Sequence, residues 1–366
     1  MELMCNKKTT KVFLDALVAG LWNKEPNHPL YDGLTKNEWF EIYQLAFHQT
    51  VEAIVGNVIQ GLPAALLPPK EILYPWIVRV QQNVDTNHHM NNTLNHLVAK
   101  FRSFEIEPIL QKGQGIAYYY EQPLLRSVGD IDFCFETKLN YHIANRIIEN
   151  TVPGFKLTAG YSSNYEFENF KVEHHQKLIQ LRNPLIYPLF KRIVQDVSPS
   201  YIQILINGKS VTIPAPIINS LMINVHILSH QVGYGVGIKQ FCDAARLYHC
   251  LNSELDADYL KYFYKKIAAL KWIELIHQVL VEMLGLEESK LPFKIVKSRN
   301  TEWMKEDILK GGNFSFYNPK YPDIKVYQGR VNRVERLFSS FLKYLPIAPL
   351  ETISFPIMHV ISKVHR

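Results

Sequence analysis

The stretch 111–136 reads QKGQGIAYYYEQPLLRSVGDIDFCFE and concentrates more reactive groups than the rest of the chain. It starts with a Lys-Gly turn, continues through a helix-length aromatic segment and an arginine, and ends with two aspartates one residue apart. The run around the aspartates otherwise has the composition of a buried strand. We therefore expect this stretch to form the centre of the fold, with the remaining chain positioning Asp130 and Asp132.

The predicted strand carries both carboxylates on one face. Strand alternation places Asp130 and Asp132 on the side of Cys134, and the isoleucine and phenylalanines on the other side. Two neighbouring carboxylates at the start of a buried strand repel each other unless a positive charge lies between them. A divalent cation would remove this repulsion, and Mg²⁺ prefers carboxylate and phosphate oxygens. From these residues alone, two solvated carboxylates at a strand edge remain the alternative.

A turn and a short helix precede this strand. After an apolar run that suits a strand, Lys112-Gly113-Gln114-Gly115 predicts a turn in which glycine permits positive φ and close backbone approach to a ligand. A helix over 116–122 would offer unpaired N–H groups to an anion. The same pattern is also typical of a plain strand-to-helix connection.

A third carboxylate comes from residues 165–175, YEFENFKVEHH, which alternate as two short strands around Asn169 would. Lys171, Glu173 and His175 share one face of the second strand. If this strand pairs beside the aspartate strand, Glu173 reaches the same metal ions. His175 would then orient a carboxylate or a phosphate, or it is a structural histidine with satisfied hydrogen bonds.

The residues before this core predict helices. A capping box at Thr35–Glu38 precedes an apolar stripe that predicts one helix ending near Gly61. A second long helix is expected from near Pro69 to about Phe104, through a stretch rich in asparagine and histidine.

The residues that follow the predicted aspartate and Glu173 strands predict a hairpin and then more helices. Asn207-Gly208 is typical of a type I′ turn in a hairpin over 202–213. His226 and His230 follow at helical i, i+4 spacing without the glutamate of a zinc-protease motif, so we expect structural or supporting roles for them.

The expected fold class is therefore α+β and predominantly helical. We predict an N-terminal helical region over 1–105, a small mixed-sheet core over 106–216, and a C-terminal helical region with a basic tail over 217–366. Most of the formal net charge of +6 lies in residues 325–366. There, apolar residues spaced from Val331 to Leu345 mark an amphipathic helix that would carry Arg330, Arg333 and Arg336 on its polar side.

Composition limits the class of protein. The hydrophobic content of 47% and the charged content of 20% are those of a folded protein, and no window has the ~18–20 apolar residues of a membrane span. Four cysteines without a CxxC motif indicate a reducing compartment, so we expect a cytoplasmic protein. A basic tail can attract nucleic acid, but the aromatic interleaving of a single-strand groove is not clear, and nucleic acid is not the favoured partner.

The run from Lys112-Gly113 through the tyrosines to Gly129-Asp-Ile-Asp132 resembles the uncharacterised nucleotidyltransferase family of the DNA polymerase β-like superfamily. The likeness continues in Val-Glu-His-His at 172–175 and in the histidine helix followed by Asp243-Ala-Ala-Arg246. It implies a polymerase β-like nucleotidyltransferase core within the helical chain.

The resemblance also implies roles for individual residues. Asp130 and Asp132 match the paired metal ligands, and Glu173 matches the third carboxylate on the next core strand. Gly113 takes the place of the Gly-Ser turn near the triphosphate, and Gln114 stands where the serine would be. The serine's phosphate contact is therefore missing or replaced.

The implied activity is Mg²⁺-dependent (or Mn²⁺-dependent) transfer of a nucleoside monophosphate from a nucleoside triphosphate to an acceptor hydroxyl by two-metal catalysis. Lys112 and Arg126 are the candidates for binding phosphate charge. The alternative is a non-catalytic member that binds a nucleotide or a partner. The residues identify neither the nucleotide nor the acceptor.

Overall fold

A computed structural model describes residues 7–153, 155, 162–179, 181–233, 235–294, 300–312 and 340–364. The fold is α+β: helices surround one mixed sheet. Its strands are β1 (Pro108–Gln111), β2 (Ile131–Phe135), β3 (Ser162–Phe167), β4 (Phe170–His175), β5 (Tyr201–Ile206) and β6 (Lys209–Pro214).

The strand order is β3-β4-β2-β1-β6-β5. The aspartate strand β2 is interior, antiparallel to β1 and parallel to β4. Two antiparallel hairpins, β3-β4 and β5-β6, form the two sides of the sheet. The predicted Asn207-Gly208 hairpin is confirmed, and both residues have the positive φ (47° and 72°) that a type I′ turn requires.

The helices numbered here are α1 (Lys7–Trp22), α2 (Lys36–His48), α3 (Glu52–Gln60), α4 (Lys70–Arg102), α5 (Gly113–Ala117), α6 (Lys138–Glu149), α7 (Tyr187–Asp196), α8 (Pro216–Gly233), α9 (Ile238–Leu251), α10 (Ala257–Lys266), α11 (Leu270–Leu284), α12 (Glu302–Gly311) and α13 (Pro349–Val364). In the described part of the chain, none of them has the length and apolar character needed to cross a membrane.

The capping box at Thr35 and Glu38 is confirmed, but the single helix predicted after it is wrong. The chain breaks between α2 and α3 at Gln49, which is fully buried. Its amide nitrogen donates to the Ile308 carbonyl (2.9 Å), and its amide oxygen accepts from the Ile238 backbone (2.8 Å). Bonds to segments about 190 and 260 residues away therefore override the local helical pattern.

The long helix α4 packs against the apolar side of the sheet, and its observed bounds are close to the predicted ones. The Phe101 ring meets Phe133 and Phe135 edge to face, with centroids 5.8 and 5.6 Å apart. Because these two residues alternate with Asp132 along β2, packing them against α4 turns the carboxylate to the opposite face of the sheet.

One predicted helix differs from expectation, and a second lies mostly outside the described residues. The helix after the glycine turn is α5 over Gly113–Ala117, shorter and earlier than 116–122. The predicted helix over 331–345, with its arginine row, lies mostly outside the described residues. The last helix, α13, starts at Pro349, where proline's fixed φ and missing N–H suit a first turn.

Candidate functional site

Three potential metal ligands meet where β2 and β4 lie side by side. Parallel pairing sets Asp132 opposite Glu173, and His175 follows two residues later on the same face of β4. One donor atom from each of the three lies within 4.8 Å of the others. The predicted pairing of the two strands is therefore observed, and it brings Glu173 beside the aspartate strand.

Asp132 is the most enclosed of these groups, with 4% of its surface exposed. His175 Nε2 lies 2.6 Å from Asp132 Oδ1, and Lys112 Nζ lies 3.7 Å from Oδ2. Burial by itself raises the pKa of Asp132, but the Lys112 ammonium and the His175 hydrogen bond outweigh it and lower the pKa to about 2. The carboxylate is therefore ionised at neutral pH.

Asp130 lies just before β2, and its pKa is shifted in the direction opposite to that of Asp132. Burial, followed by repulsion from Asp132 and Glu173, raises its pKa above the ordinary value, with Lys112 acting in the opposite direction. Glu173 also forms an ion pair with Lys171. Two lysines and one histidine thus face three carboxylates that repel one another, and this set of oxygen donors fits a divalent cation.

The Lys-Gly turn lies against the same carboxylates. Lys112 and Gly113 both have positive φ (49° and 44°). A Cβ added to Gly113 would lie 3.3 Å from the Asp130 carbonyl oxygen, so the turn needs both the conformational freedom and the small size of glycine. The turn holds the Lys112 side chain over Asp132.

The Gln114 side chain, predicted to lie in the turn near the triphosphate, is bonded to α4. It is 5% exposed, and its Nε2 donates to the side-chain oxygens of Asn87 (3.1 Å) and Asn91 (2.5 Å) on α4. Asn87 also donates to the carbonyls of Leu124 (2.9 Å) and Arg126 (3.0 Å). Sequence reasoning missed these positioning asparagines, although the asparagine-rich stretch of α4 was visible.

Arg126, which we predicted to bind phosphate, forms an ion pair with a carboxylate of α9. Its Nε and Nη2 bind the two carboxylate oxygens of Asp243 on α9 at 2.7 and 2.9 Å. The Tyr120 hydroxyl donates to the same carboxylate at 2.7 Å. Both charged side chains are 5–6% exposed, and the pair anchors the segment before β2 to α9.

Helices α8 and α9 bring further basic groups near the carboxylates. The rings of His226 and His230 lie with centroids 4.2 Å apart. Burial, and after it the nearby Lys112 charge, lowers the pKa of both, that of His230 to about 3, so both are neutral at pH 7. Burial and Arg126 lower the pKa of Lys239 to about 8, while Asp243 and Asp130 oppose them.

Comparison with known proteins gives one family. Residues 35–285, more than half of the chain, match a family described as uncharacterised nucleotidyltransferase. No curated protein matches the sequence. Among solved structures, an antigenic nucleotidyltransferase-like protein from Paracoccidioides brasiliensis is similar at 13% identity and a TM-score of 0.31, covering 54% of this chain and 92% of its own.

Proposed function

Because the chain belongs to the uncharacterised nucleotidyltransferase family, we propose that it transfers a nucleoside monophosphate from a nucleoside triphosphate to an acceptor hydroxyl. The observation that carries the proposal is the register of β2 and β4, which sets Asp132 opposite Glu173. Asp130 lies just before β2, where burial and the charges of both carboxylates raise its pKa. In this reaction the acceptor oxygen bonds to the α-phosphorus, the bond to the β-phosphate breaks, and pyrophosphate leaves together with the hydroxyl proton.

We assign the metal-binding role to Asp130, Asp132 and Glu173, whose oxygens suit Mg²⁺ or Mn²⁺. Bound divalent ions would supply charge neutralisation on the triphosphate and activation of the acceptor hydroxyl. Lys112, held 3.7 Å from Asp132, is our candidate for contacting phosphate beside these carboxylates. Gly113 leaves room for the triphosphate to approach the backbone.

Arg126 takes a different role in this proposal from the one its sequence context indicates. Its guanidinium binds both oxygens of Asp243, so we assign it to positioning the segment that leads into β2. Gln114 has the same kind of role toward α4.

The proposal is tested by metal binding and turnover in matched variants. Calorimetry with Mn²⁺ is expected to show that Asp132→Asn and Glu173→Gln each weaken binding by more than about tenfold, a loss typical even of outer-shell changes. Pyrophosphate release should be screened with each of the four ribonucleoside triphosphates, Mg²⁺ and acceptors from cell extract. The surface variant Asp196→Asn, on α7, serves as the matched control and should retain both properties.

Thermal unfolding of the same variants separates the two aspartates. Asp130→Asn should leave the melting temperature equal or higher, because it removes repulsion from Asp132 and Glu173. Asp132→Asn should lower it, because Lys112 and His175 lose a charged partner. Undiminished Mn²⁺ affinity in the double variant Asp130→Asn/Asp132→Asn would contradict the assignment of the site.

The orientation of Gln114 favours a second candidate function. Its amide binds Asn87 and Asn91, so it does not replace the phosphate contact of the superfamily's serine. A non-catalytic member that binds a nucleotide or a partner would follow from that loss. Such a protein would bind metal and nucleotide in calorimetry but release no pyrophosphate in the screen.

A further inference from the structure

His175 is held between the two carboxylates that face each other across β2 and β4. Its Nε2 lies 2.6 Å from Asp132 Oδ1 and 3.7 Å from Glu173 Oε2. The side chain is 11% exposed. An imidazole nitrogen thus lies beside the carboxylate oxygens that we assign to metal binding.

The strand register gives the ring this place. His175 pairs with Cys134 on β2, two pairs beyond Asp132 and Glu173 and therefore on the same face of the sheet. The Cys134 side chain is small and buried, so it leaves space for the imidazole on the same face. The neighbouring His174 points to the opposite face, where its ring nitrogens bond Asn145 (2.7 Å) and Tyr165 (3.0 Å).

A nitrogen donor changes which metal such a site prefers. Mg²⁺ favours oxygen ligands in a strict octahedron, whereas imidazole binds first-row transition ions well and carboxylates suit Mn²⁺. Two carboxylates and one imidazole therefore form a mixed donor set for Mn²⁺. If His175 only donated a hydrogen bond to Asp132, it would orient that ligand and leave the metal preference to oxygen.

Resting on the proposed function, we propose that His175 Nε2 is a direct metal ligand beside Asp132 and Glu173. The site accordingly prefers Mn²⁺ to Mg²⁺. His175 then rotates from its hydrogen bond with Asp132 to the metal, and the two carboxylates keep their places.

Pulsed electron paramagnetic resonance of the full chain with bound Mn²⁺ tests the ligation directly. The wild type should show coupling from one coordinated nitrogen. The coupling should disappear in His175→Gln, because the amide can keep the hydrogen bond to Asp132 but supplies no imidazole nitrogen. His226→Gln, a second histidine near Lys112, is the matched control and should retain the coupling.

Two measurements complete the test. Protein labelled with ¹⁵N-histidine should show the isotope's altered coupling, which identifies the nitrogen ligand as a histidine without any substitution should His175→Gln fail to fold. Among the described residues, His175 is the histidine grouped with Asp132 and Glu173. In competition titrations, the preference for Mn²⁺ over Mg²⁺ should fall at least about tenfold in His175→Gln.

The outcomes are distinguishable from failure of the proposed function. Mn²⁺ bound to the wild type without nitrogen coupling would overturn ligation by His175 and leave the nucleotidyltransferase proposal standing. Absence of any Mn²⁺ or Mg²⁺ binding by the wild type, with triphosphate present, would overturn both.

Discussion

At the scale of single residues, the charges near β2 fall into two groups with different roles. Asp132, Glu173 and His175 converge with Lys112 on a site that a cation and a phosphate could share. Arg126, only four residues before Asp130, is committed to Asp243 instead. Residues that are close in sequence therefore have different roles: some lie at the candidate site, and others stabilise the segments around it.

The Arg126–Asp243 pair is expected to contribute mainly to stability. Arg126→Met should destabilise the protein by about 3–5 kcal/mol, because it leaves a buried carboxylate without its cation. The double variant Arg126→Met/Asp243→Leu should recover part of that loss, since no buried charge remains unpaired. Urea unfolding of the three proteins measures both effects.

An exposed ion pair supplies the control. Arg192 and Asp196 on α7 lie 3.5 Å apart with side chains 75% and 46% exposed, and Arg192→Ala should change stability by about 0–1 kcal/mol. If Arg126→Met kept its stability but lost triphosphate binding, the result would instead show that Arg126 contacts phosphate.

At the scale of elements, the helix α13 packs against α8. Phe355 of α13 packs on Gly233 of α8, where an added Cβ would come within 2.1 Å of the ring. Glu351 is 1% exposed, and its oxygens accept from the Arg182 backbone N–H at 3.1 and 3.2 Å. Arg182 in turn stacks over Phe355 at 5.1 Å.

The docking of α13 should weaken as pH rises through neutrality. Burial raises the pKa of Glu351 from 4.5 to about 7, against the opposing backbone hydrogen bond and charge of Arg182. A raised carboxyl pKa means that its stabilisation is complete below pH 4.5 and is lost as pH rises through 7. The shift corresponds to on the order of 3 kcal/mol at most.

Glu351→Gln tests this dependence, because its amide stays neutral at every pH used. Urea midpoints of both proteins, measured from pH 5 to pH 8, should show the wild type losing stability relative to Glu351→Gln as pH rises. Parallel curves for the two proteins would show that Glu351 does not titrate in this range.

At the scale of the whole molecule, the three predicted regions share one core. A single buried apolar cluster includes residues from α1, the sheet and α11. Hydrogen bonds also join α1 to the region 217–366: Trp22 Nε1 donates to the Leu284 carbonyl (2.5 Å), and Arg246 Nη1 donates to the Leu21 carbonyl (3.2 Å). We therefore propose that regions 1–105, 106–216 and 217–366 depend on one another for stability.

The chain should accordingly unfold in one cooperative step. The five tryptophans all lie outside 106–216, so their fluorescence reports on the flanking helical regions, whereas far-UV circular dichroism reports on every region. Coincident urea transitions by the two probes are expected. Two separated transitions would instead show that the sheet core unfolds independently of the helices.

Local sequence patterns determined much of this protein's secondary structure. The alternation in 130–136 and 165–175, the Asn-Gly turn and the capping box predict the strands, the hairpin and a helix start, because each depends on neighbouring residues alone. The same alternation predicts that Glu173 shares a face with His175. The two carboxylates meet because the parallel pairing of β4 with β2 sets Glu173 in register with Asp132 on that face of the sheet.

Only the tertiary structure decided how the remaining charged and polar groups are used. Arg126 meets Asp243 across 117 residues, Gln114 meets α4 across 23 or more, and Gln49 ends a helix by binding distant backbone. No local period encodes such contacts, because they arise when buried polar groups must find partners in whatever packs beside them. The sequence thus predicts the strand that carries the aspartates. Packing decides which nearby polar side chains lie at the candidate site and which, like Arg126 and Gln114, hold neighbouring segments in place.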